Sequence, residues 1–394
     1  MTTLALNIIV GPKEDRILER CLISYDVKNT FDEIVIVNTS LDENVNKIAR
    51  KFTDKVFYYQ WETEQYPFGD FGGARNFAAE HTESDKVWWL DADDICKDEH
   101  REKLYESVKL IKDSDYSDVL IWRMPYTIIM NDDGSPDMWF LRERVFDRKA
   151  IHWKRSIHEI LFPGLEMVKH ATINNMYNTH LPTKPTYVSA LRNVAMLEHE
   201  LKMNPDDIQT KYFLGRDYMF TGRITEGVAL LNELLDNLKT GYEMLYAISM
   251  DLAWFYAYGC LNPHPEIEYF KKENLLKIES YCRLAITFMQ EYAEPYVLIG
   301  DAYLHSERTD SSITMYKHAM SKQLGKGKFQ MRPLYLEIPA DRLSRVYDIK
   351  DFNGMSIHYN EVAKRANPIR EYYMERKRIL INKLLKEYEN ECKN

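Results

Sequence analysis

Cysteines are few in this sequence, and their spacing is irregular. The 394-residue chain contains five of them, an odd number, and no two form a Cys-x-x-Cys pair. Disulfide-stabilised secreted domains and structural zinc sites need cysteines in paired, regular spacings. The pattern therefore predicts reduced thiols and a cytoplasmic location, with neither a disulfide framework nor a zinc site.

Long apolar runs and excess positive charge are also missing. The chain has no run near the roughly 18 apolar residues that a membrane-spanning helix needs. Its start, MTTLALNIIVG, lacks the basic segment and the cleavage site of a signal peptide. The formal net charge is -9 at pH 7, whereas general nucleic-acid binders usually carry a basic excess. The composition therefore disfavours that class and predicts a protein without a membrane span.

The first half of the chain alternates between strand-like and helix-like segments. Continuous apolar runs such as LALNIIV, EIVIV and KVWWL indicate buried strands, and EDRILERCLISY has its apolar residues at helical spacing. Strands that alternate with helices predict a mostly parallel sheet covered on both faces. Ligands bind such sheets beyond the carboxyl ends of the strands. The turns at Gly11, Asn38 and Asp91 all follow strands, so we expect them at one edge of the sheet.

From about Tyr187 onwards the sequence is helical and repetitive. A small residue stands three positions before a tyrosine in three segments, at Gly215–Tyr218, Gly300–Tyr303 and Ser344–Tyr347. This spacing predicts stacked helix pairs in which the small residues allow close crossing and the tyrosines fill gaps. The repeats resemble tetratricopeptide repeats.

The change of pattern predicts two domains. Pro182 and Pro185 discourage helix in the segment HLPTKPTY, which is the predicted linker. The predicted domains are residues 1–184, with α/β structure, and residues 185–394, an all-α helical repeat domain. Stacked helix pairs form concave surfaces, so the second domain is expected either to bind a substrate or to organise a homo-oligomer.

Three carboxylates directly follow the predicted strand KVWWL, in the segment WWLDADD. In an extended segment Asp91 and Asp93 face the same side, and carboxylate oxygens are the ligands that Mg²⁺ or Mn²⁺ prefer. Alternatively, Asp93 or Asp94 caps a helix that begins near Lys97. The position of the carboxylates at a strand end favours a cation site with coordination positions left open for phosphates.

Six segments resemble, in the same order, those of a family two glycosyltransferase with the GT-A fold. They are IIVGPKEDRILERCLISY, DEIVIVNTSLDENV, GGARNFAAE, WWLDADD, RERVF and SIHEIL. The resemblance implies a Rossmann-like, mostly parallel α/β domain, fused here to the all-α repeat domain. It also implies a metal-dependent enzyme that moves a hexose or pentose from a nucleotide-sugar donor to an acceptor, with inversion.

The resemblance assigns roles to individual residues. Glu159 is the candidate general base that takes a proton from the acceptor, with Asp94 as its rival. The metal set, for Mn²⁺ or Mg²⁺, is Asp91, Asp93 and His180. The nucleotide-sugar set is Pro12, Glu14, Asn38, Arg75, Asp91, Arg144 and His158. Because the family usually has Asp where this sequence has Asn38, the identity of the nucleotide base stays open.

Structural alternatives exist for most of these residues. Glu14 suits the first turn of a helix because of the helix dipole. Arg75 can pair with a carboxylate of the Asp91 cluster, Arg144 can be a solvated strand residue, and Glu159 can pair with a nearby basic side chain. Which reading holds depends on burial and on neighbours that the sequence does not show.

The acceptor is open among a peptide, a glycan and a modified nucleic-acid base. Two other classes of protein also fit part of the pattern. A nucleotidyltransferase uses strand-end carboxylates and a metal, but it more often has a basic, Gly-rich loop where this chain has GPKEDR. A repeat scaffold with a degenerate transferase domain would not hydrolyse a sugar nucleotide, so that reaction distinguishes it from an enzyme.

Overall fold

The chain forms two compact units. One contains residues 1–129 and 139–206, and the other contains residues 130–138 and 207–394. The computed structural model describes residues 2–130, 136–181, 186–237, 239–259, 261, 271–324, 331–368 and 370–391. The predicted linker prolines, Pro182 and Pro185, and the predicted boundary after residue 184 lie outside the described residues.

A large sheet forms the centre of the first unit. Its strands are β1 (Leu4–Val10), β2 (Glu33–Asn38), β3 (Val56–Tyr58), β4 (Lys86–Asp91), β5 (Asp94–Ile95), β6 (Ile121–Met130), β7 (Pro136–Asp147), β10 (His170–Thr172) and β11 (Asn178–His180). Two further strands, β8 (His152–Lys154) and β9 (Ile160–Phe162), form a separate antiparallel pair. Across the described part of the sheet the order is β3-β2-β1-β4-β7-β6-β11-β5, with β10 beside β6. β1 lies parallel between β2 and β4, and β7 is antiparallel to β4.

Helices cover both faces of this sheet. They are α1 (Asp15–Ser24), α2 (Val27–Thr30), α3 (Glu43–Ala49), α4 (Phe71–Glu80) and α5 (Arg101–Lys112); the first unit also contains α6 (Thr186–Met203). Leu6 and Ile8 of β1 belong to a core with Leu18 of α1, whereas Ile9 packs in a separate core with Ala74 of α4. Because successive strand residues point to opposite faces, coverage on both sides explains why β1 is apolar throughout.

The carboxyl ends of the central strands meet at one edge, as the sequence predicted. Val10 at the end of β1 pairs with Asn38 at the end of β2, and Ile9 pairs with Asp91 at the end of β4. The short strand β11 is antiparallel to β5, which places His180 opposite Asp94. Polar residues from separate parts of the chain are therefore brought to the same edge.

Helix α6 is part of the first unit, although the sequence prediction assigned all residues after 184 to the helical domain. Its residues Glu200 and His199 contact Ser156 and Gln65 of the α/β unit. An apolar stripe on a helix shows that one face is buried but does not identify the partner.

Every regular element that the structure describes in the second unit from residue 207 onwards is a helix. Its helices are α7 (Ile208–Phe220), α8 (Ile224–Leu235), α9 (Tyr242–Tyr258), α10 (Leu275–Phe288), α11 (Glu294–His305), α12 (Thr309–Met320), α13 (Glu337–Ile349), α14 (Asn353–Ala366) and α15 (Glu371–Glu391). They pack in consecutive pairs from α7 with α8 to α13 with α14, and α15 packs on α14. The prediction of an α/β domain followed by an all-α repeat region is confirmed.

Close helix crossings occur at the small residues that the sequence singled out. A Cβ on Gly215 would lie 2.8 Å from the Leu231 side chain, and one on Gly300 would lie 2.5 Å from the Tyr316 ring. Either position would need a shift of its neighbour to accept a larger residue. None of the described helices is both long and apolar enough to cross a membrane.

Candidate functional site

A cavity of 640 Å³ opens in the first unit, at the carboxyl ends of β1 and β4. It brings together most of the residues that the sequence singled out: Pro12, Glu14, Arg75, Asp91, Asp93, His158, Glu159 and His180. Asn38, Asp94 and Arg144 do not line it. The sheet edge and the two loops that follow β1 and β4 therefore form the candidate site.

The loop after β1 is stabilised by a hydrogen bond between two of its own residues. Glu14 Oε2 accepts a hydrogen bond from the backbone N–H of Gly11 at 2.9 Å. Lys13 between them has a φ of 62°, and its N–H donates to Asp42 Oδ2 at 2.9 Å. These contacts hold Pro12 and Glu14 against the cavity.

Arg75 joins two carboxylates in the cavity wall. Its Nη2 lies 2.6 Å from Asp91 Oδ1, and its Nε lies 2.6 Å from Glu159 Oε1. The guanidinium carbon is 4.3 Å from the centre of the Trp89 ring and 5.2 Å from that of Trp153. Burial lowers the pKa of Arg75, but the two carboxylates outweigh burial and raise it. Arg75 is therefore a permanent cation that aligns both acids.

Asp91 is held in its ionised form. Burial raises the pKa of Asp91, but the guanidinium groups of Arg75, Arg142 and Arg144 outweigh burial and lower the pKa well below its usual range. Arg142 Nη1 lies 3.8 Å from Asp91 Oδ2. Arg142 also lines the cavity, although the sequence prediction did not include it.

Asp93, Asp94 and His180 form a cluster that could hold a cation. One ligand atom from each lies within 4.8 Å of the others. His180 Nδ1 is 3.4 Å from Asp93 Oδ1 and 3.7 Å from Asp94 Oδ1. Asp94 Oδ1 and His180 Nδ1 are buried and have no hydrogen-bond partner in the described part of the chain. Two carboxylates and an imidazole suit Mn²⁺ or Mg²⁺, so the residues present fit the metal that the sequence predicted.

Charge in this cluster is balanced by the histidine. Burial lowers the pKa of His180, but Asp93 and Asp94 outweigh it and raise the pKa to about 9. Burial raises the pKa of Asp93, and the neighbouring His180 ring opposes that rise. The predicted metal set contained Asp91, whereas the cluster contains Asp94; the Asp91 carboxylate is paired with Arg75.

Asp94 and Arg144 form a buried ion pair beneath the cavity. Both side chains are 0% exposed, and Arg144 Nη1 lies 2.9 Å from Asp94 Oδ2. The same oxygen accepts a hydrogen bond from the Asp91 backbone N–H at 3.0 Å. Arg144 was expected to reach a diphosphate, but it is buried here. Arg142, two residues earlier on the same face of β7, lies at the cavity instead.

Asn38 is engaged in its own loop. It is 1% exposed, its Nδ2 donates to Asn46 Oδ1 at 2.9 Å, and its Oδ1 accepts from the Ser40 N–H at 2.9 Å. The next two residues, Thr39 and Ser40, line the cavity. Asn38, where the family usually has Asp, therefore stabilises the loop after β2.

His158 and Glu159 both face the cavity, although adjacent residues of a strand would point to opposite sides. The backbone explains this, because Arg155 and His158 have φ angles of 78° and 48°. The segment is a turn between β8 and β9, and it presents both side chains together.

Further cavity residues had no motif that could identify them. They come from the loop after β3, the start of α4 and helix α6: Trp61, Phe71, Ser189, Arg192 and Asn193. The Arg192 guanidinium lies 4.8 Å from the Phe71 ring. The sequence prediction placed α6 in the other domain, so its contribution to the site was missed.

Part of the chain is similar to known glycosyltransferases. Residues 14–170 match the model of Glycosyl transferase family 2. The chain is 25% identical over 241 residues to the SPbeta prophage-derived glycosyltransferase SunS of Bacillus subtilis (strain 168), and the same figures hold for the glycosyltransferase SunS of Bacillus phage SPbeta. These alignments cover 60% of this chain and 54% of each relative, so the chain spans about half the length of the curated relatives it matches.

Part of the chain is also similar to solved structures. A thermophilic TPR protein of Thermus thermophilus, TTC0263, has a TM-score of 0.32 and 16% identity, over 49% of this chain and 90% of that one. MamA has a TM-score of 0.33 and 16% identity, over 49% of this chain and 99% of that one.

Proposed function

We propose that this protein, in which residues 14–170 form a Glycosyl transferase family 2 domain, transfers a sugar from a nucleotide-sugar donor to an acceptor. The observation that carries the proposal is the meeting of the Asp93, Asp94 and His180 cluster with Arg142 at one cavity. In such a donor a negatively charged diphosphate links the sugar to the nucleoside, so a binding site needs positive charge around it. A divalent cation held by the cluster, together with Arg142, would supply that charge.

The cation is proposed to bind between Asp93 and His180, which line the cavity, with Asp94 behind them. Mn²⁺ or Mg²⁺ bound there would stabilise the charge that develops on the leaving nucleoside diphosphate. Asp91 stays ionised beside this site through its pairing with Arg75. Arg142, whose side chain is 30% exposed, can contact a phosphate with its fork of donors.

Glu159 is the proposed general base. It lines the cavity, and Arg75 holds its Oε1. Asp94, the rival base, is 0% exposed and paired with Arg144, so it has no route to an acceptor proton. A base in the cavity that holds the donor suits a single displacement with inversion, in which the acceptor loses its proton as it attacks.

The remaining lining points to a neutral or mixed acceptor. Trp61, Phe71 and Ile157 are apolar, and Ser189 and Arg192 add hydrogen-bond donors. The chain has a formal net charge of -9, which opposes a polyanion at the surface. We therefore propose a peptide or a glycan as the acceptor, in preference to a nucleic-acid base.

A thermal-shift screen tests the function. The full chain is heated with a panel of sugar nucleotides, with and without Mn²⁺, beside Asp93→Ala. Ligand at about 100 times its Kd adds about 2.7 kcal/mol of stability, so we expect one donor class to raise the Tm of the parent only with metal. Asp93→Ala should lose that shift while it keeps the parental Tm without ligand, since a carboxylate at the cavity contributes little to the core.

Three other results would contradict the proposal. A shift with nucleoside triphosphates alone would favour a nucleotidyltransferase. No shift with any donor would favour a scaffold. Parental donor and metal binding by Asp93→Ala would remove Asp93 from the metal site.

A further inference from the structure

Helix α6 contacts two segments that border the cavity, the turn between β8 and β9 and the loop after β3, through two neighbouring residues. Glu200 Oε1 accepts a hydrogen bond from the backbone N–H of Ser156, with N and O 2.5 Å apart. His199 Nε2 lies 2.7 Å from the carbonyl oxygen of Gln65, in the loop that also contains Trp61. Glu200 is only 8% exposed. A buried carboxylate that accepts from a backbone N–H makes a strong, charge-assisted hydrogen bond.

The loop that Glu200 contacts has a backbone that needs external support. Arg155 and His158, on the two sides of this contact, have φ angles of 78° and 48°. Residues other than glycine keep such left-handed angles only where the surrounding structure imposes them. Sequence preference alone would not hold this turn, so its shape depends on its contacts.

Two further contacts hold the same loop from the side of α4. The Phe71 N–H donates to the Ser156 carbonyl at 2.8 Å. A Cβ on Gly72 would lie 2.2 Å from the Arg155 carbonyl oxygen, so only glycine allows this approach. Ser156 is therefore fixed at its carbonyl by α4 and at its N–H by α6. Of these supports, the Glu200 contact comes from a side chain and can be changed without altering the backbone.

We propose that Glu200 is a positioning residue for the site. By fixing Ser156, it sets the direction in which His158 and Glu159 enter the cavity. Its effect on turnover rests on the proposed function, in which Glu159 is the general base. Its effect on the loop does not depend on that function.

Removal of the carboxylate leaves the buried N–H of Ser156 without an acceptor. The loop can then relax towards ordinary φ angles and move Glu159. A displacement of about 1 Å at a reacting group can cost roughly 10²-fold in rate. Asp93 and His180, the proposed cation ligands, lie outside this loop, so affinity for the donor should change little.

Three variants separate positioning from simple loss of structure. Glu200→Ala removes the acceptor, Glu200→Asp keeps the charge but shortens its reach, and Glu200→Gln keeps an acceptor oxygen at the same reach. Glu102→Gln, at an exposed position on α5, is the matched control for loss of charge. The measurements are kcat and KM for Mn²⁺-dependent hydrolysis of a sugar nucleotide, and hydrogen exchange of the amides of residues 155–159.

We expect Glu200→Ala and Glu200→Asp to lower kcat by about 10²-fold with KM within about threefold of the parent. Glu200→Gln should restore kcat to within about tenfold, because a neutral hydrogen bond is roughly half as strong as a charge-assisted one. Amides 155–159 should exchange faster in Glu200→Ala than in the parent or in Glu102→Gln.

Parental kcat and parental exchange in Glu200→Ala and Glu200→Asp would overturn the inference. If Glu200→Ala does not fold, the comparison of Glu200→Asp with Glu200→Gln decides, and equal kcat values would count against positioning. If the parent binds no sugar nucleotide, the proposed function fails. Hydrogen exchange still decides whether Glu200 holds the loop, since faster exchange supports the contact and unchanged exchange refutes it.

Discussion

Arg75 determines the charge balance of the candidate site at the scale of single residues. It lies 2.6 Å from both Asp91 and Glu159 and is 5% exposed. Its fork of donors can hold two carboxylates that would otherwise repel each other, which the compact ammonium of a lysine cannot do in the same geometry. The carboxylate beside the cation cluster and the proposed base therefore depend on one side chain.

Glu159→Gln should bind the donor as the parent does and lose transfer by roughly 10²- to 10⁴-fold, the usual scale for loss of a general base. The amide keeps the shape and can still accept from Arg75, but it cannot take a proton at neutral pH. Donor affinity from thermal shift and turnover by product analysis check this outcome, with the exposed Glu166→Gln as control. Unchanged turnover would place the base elsewhere.

Motif order predicted which residues meet at the cavity better than it predicted what each one contacts. Asp91, Asp93 and His180 follow strands that end at the same edge, so their proximity follows from topology. How deeply a strand residue is buried does not follow from topology. Arg142 and Arg144 lie on the same face of β7, yet Arg142 lines the cavity and Arg144 is fully buried. The residue types and their spacing in the sequence do not show which of the two side chains is buried.

At the scale of secondary structure, the sequence predicted the long strands better than the short ones, and it did not predict which unit helix α6 packs in. β1, β2 and β4 are apolar runs that are buried on both faces, so they were recognisable. β5 and β11 have too few residues to show a period, yet their pairing brings His180 to Asp94. Helix α6 has a recognisable helical pattern, and the predicted boundary after residue 184 assigns it to the helical domain, whereas the structure places it in the first compact unit.

Helix α11 begins with a buried acid. Glu294 is 1% exposed, and its carboxylate accepts hydrogen bonds from the Met331 N–H and from the hydroxyls of Tyr246 and Tyr335. Burial raises the pKa of Glu294 to about 7, although these hydrogen bonds oppose the rise. The acid is therefore largely protonated in the folded chain under mildly acidic conditions.

This pKa predicts how stability depends on pH. Because the folded pKa lies above the unfolded value of about 4.3, protonation favours the folded state. Its contribution is complete below about pH 4 and is lost as the pH rises through 7. The loss between pH 5 and pH 8 should be about 2–3 kcal/mol. Urea unfolding of the parent and of Glu294→Gln at both pH values measures it.

Glu294→Gln should remove this part of the pH dependence, since the amide does not titrate. Glu291→Gln, three residues earlier and exposed, should keep the parental dependence. The same pH dependence in the parent and in Glu294→Gln would show that Glu294 does not titrate in this range.

At the scale of the whole molecule, the cavity belongs to one unit. Every described residue that lines it lies in the first unit, which reaches residue 206. The helical unit has close crossings at Gly215 and Gly300 and buries Tyr212 and Tyr303. These tyrosines are packing residues, so a concave binding surface would have to use other side chains.

Two fragments test this division of roles. Residues 1–206 should bind the sugar nucleotide and metal and hydrolyse the donor slowly, but should lose transfer to the natural acceptor. Residues 1–184 lack α6, and with it Arg192 and Glu200, so they should turn over the donor about 10²-fold more slowly than the longer fragment. Calorimetric donor binding and hydrolysis rates compare the two. Parental transfer by residues 1–206 would leave the repeats only an assembly role.

The buried pair of Asp94 and Arg144 restricts how this sequence can diverge. Replacement of either partner alone leaves an uncompensated charge in the interior, at a cost of about 3–5 kcal/mol. That is a large part of the roughly 5–15 kcal/mol that separates typical native proteins from their unfolded chains. A substitution at only one of the two positions is therefore rarely tolerated. Among descendants of this chain the two positions should covary, whereas the exposed residues of α5 should vary independently.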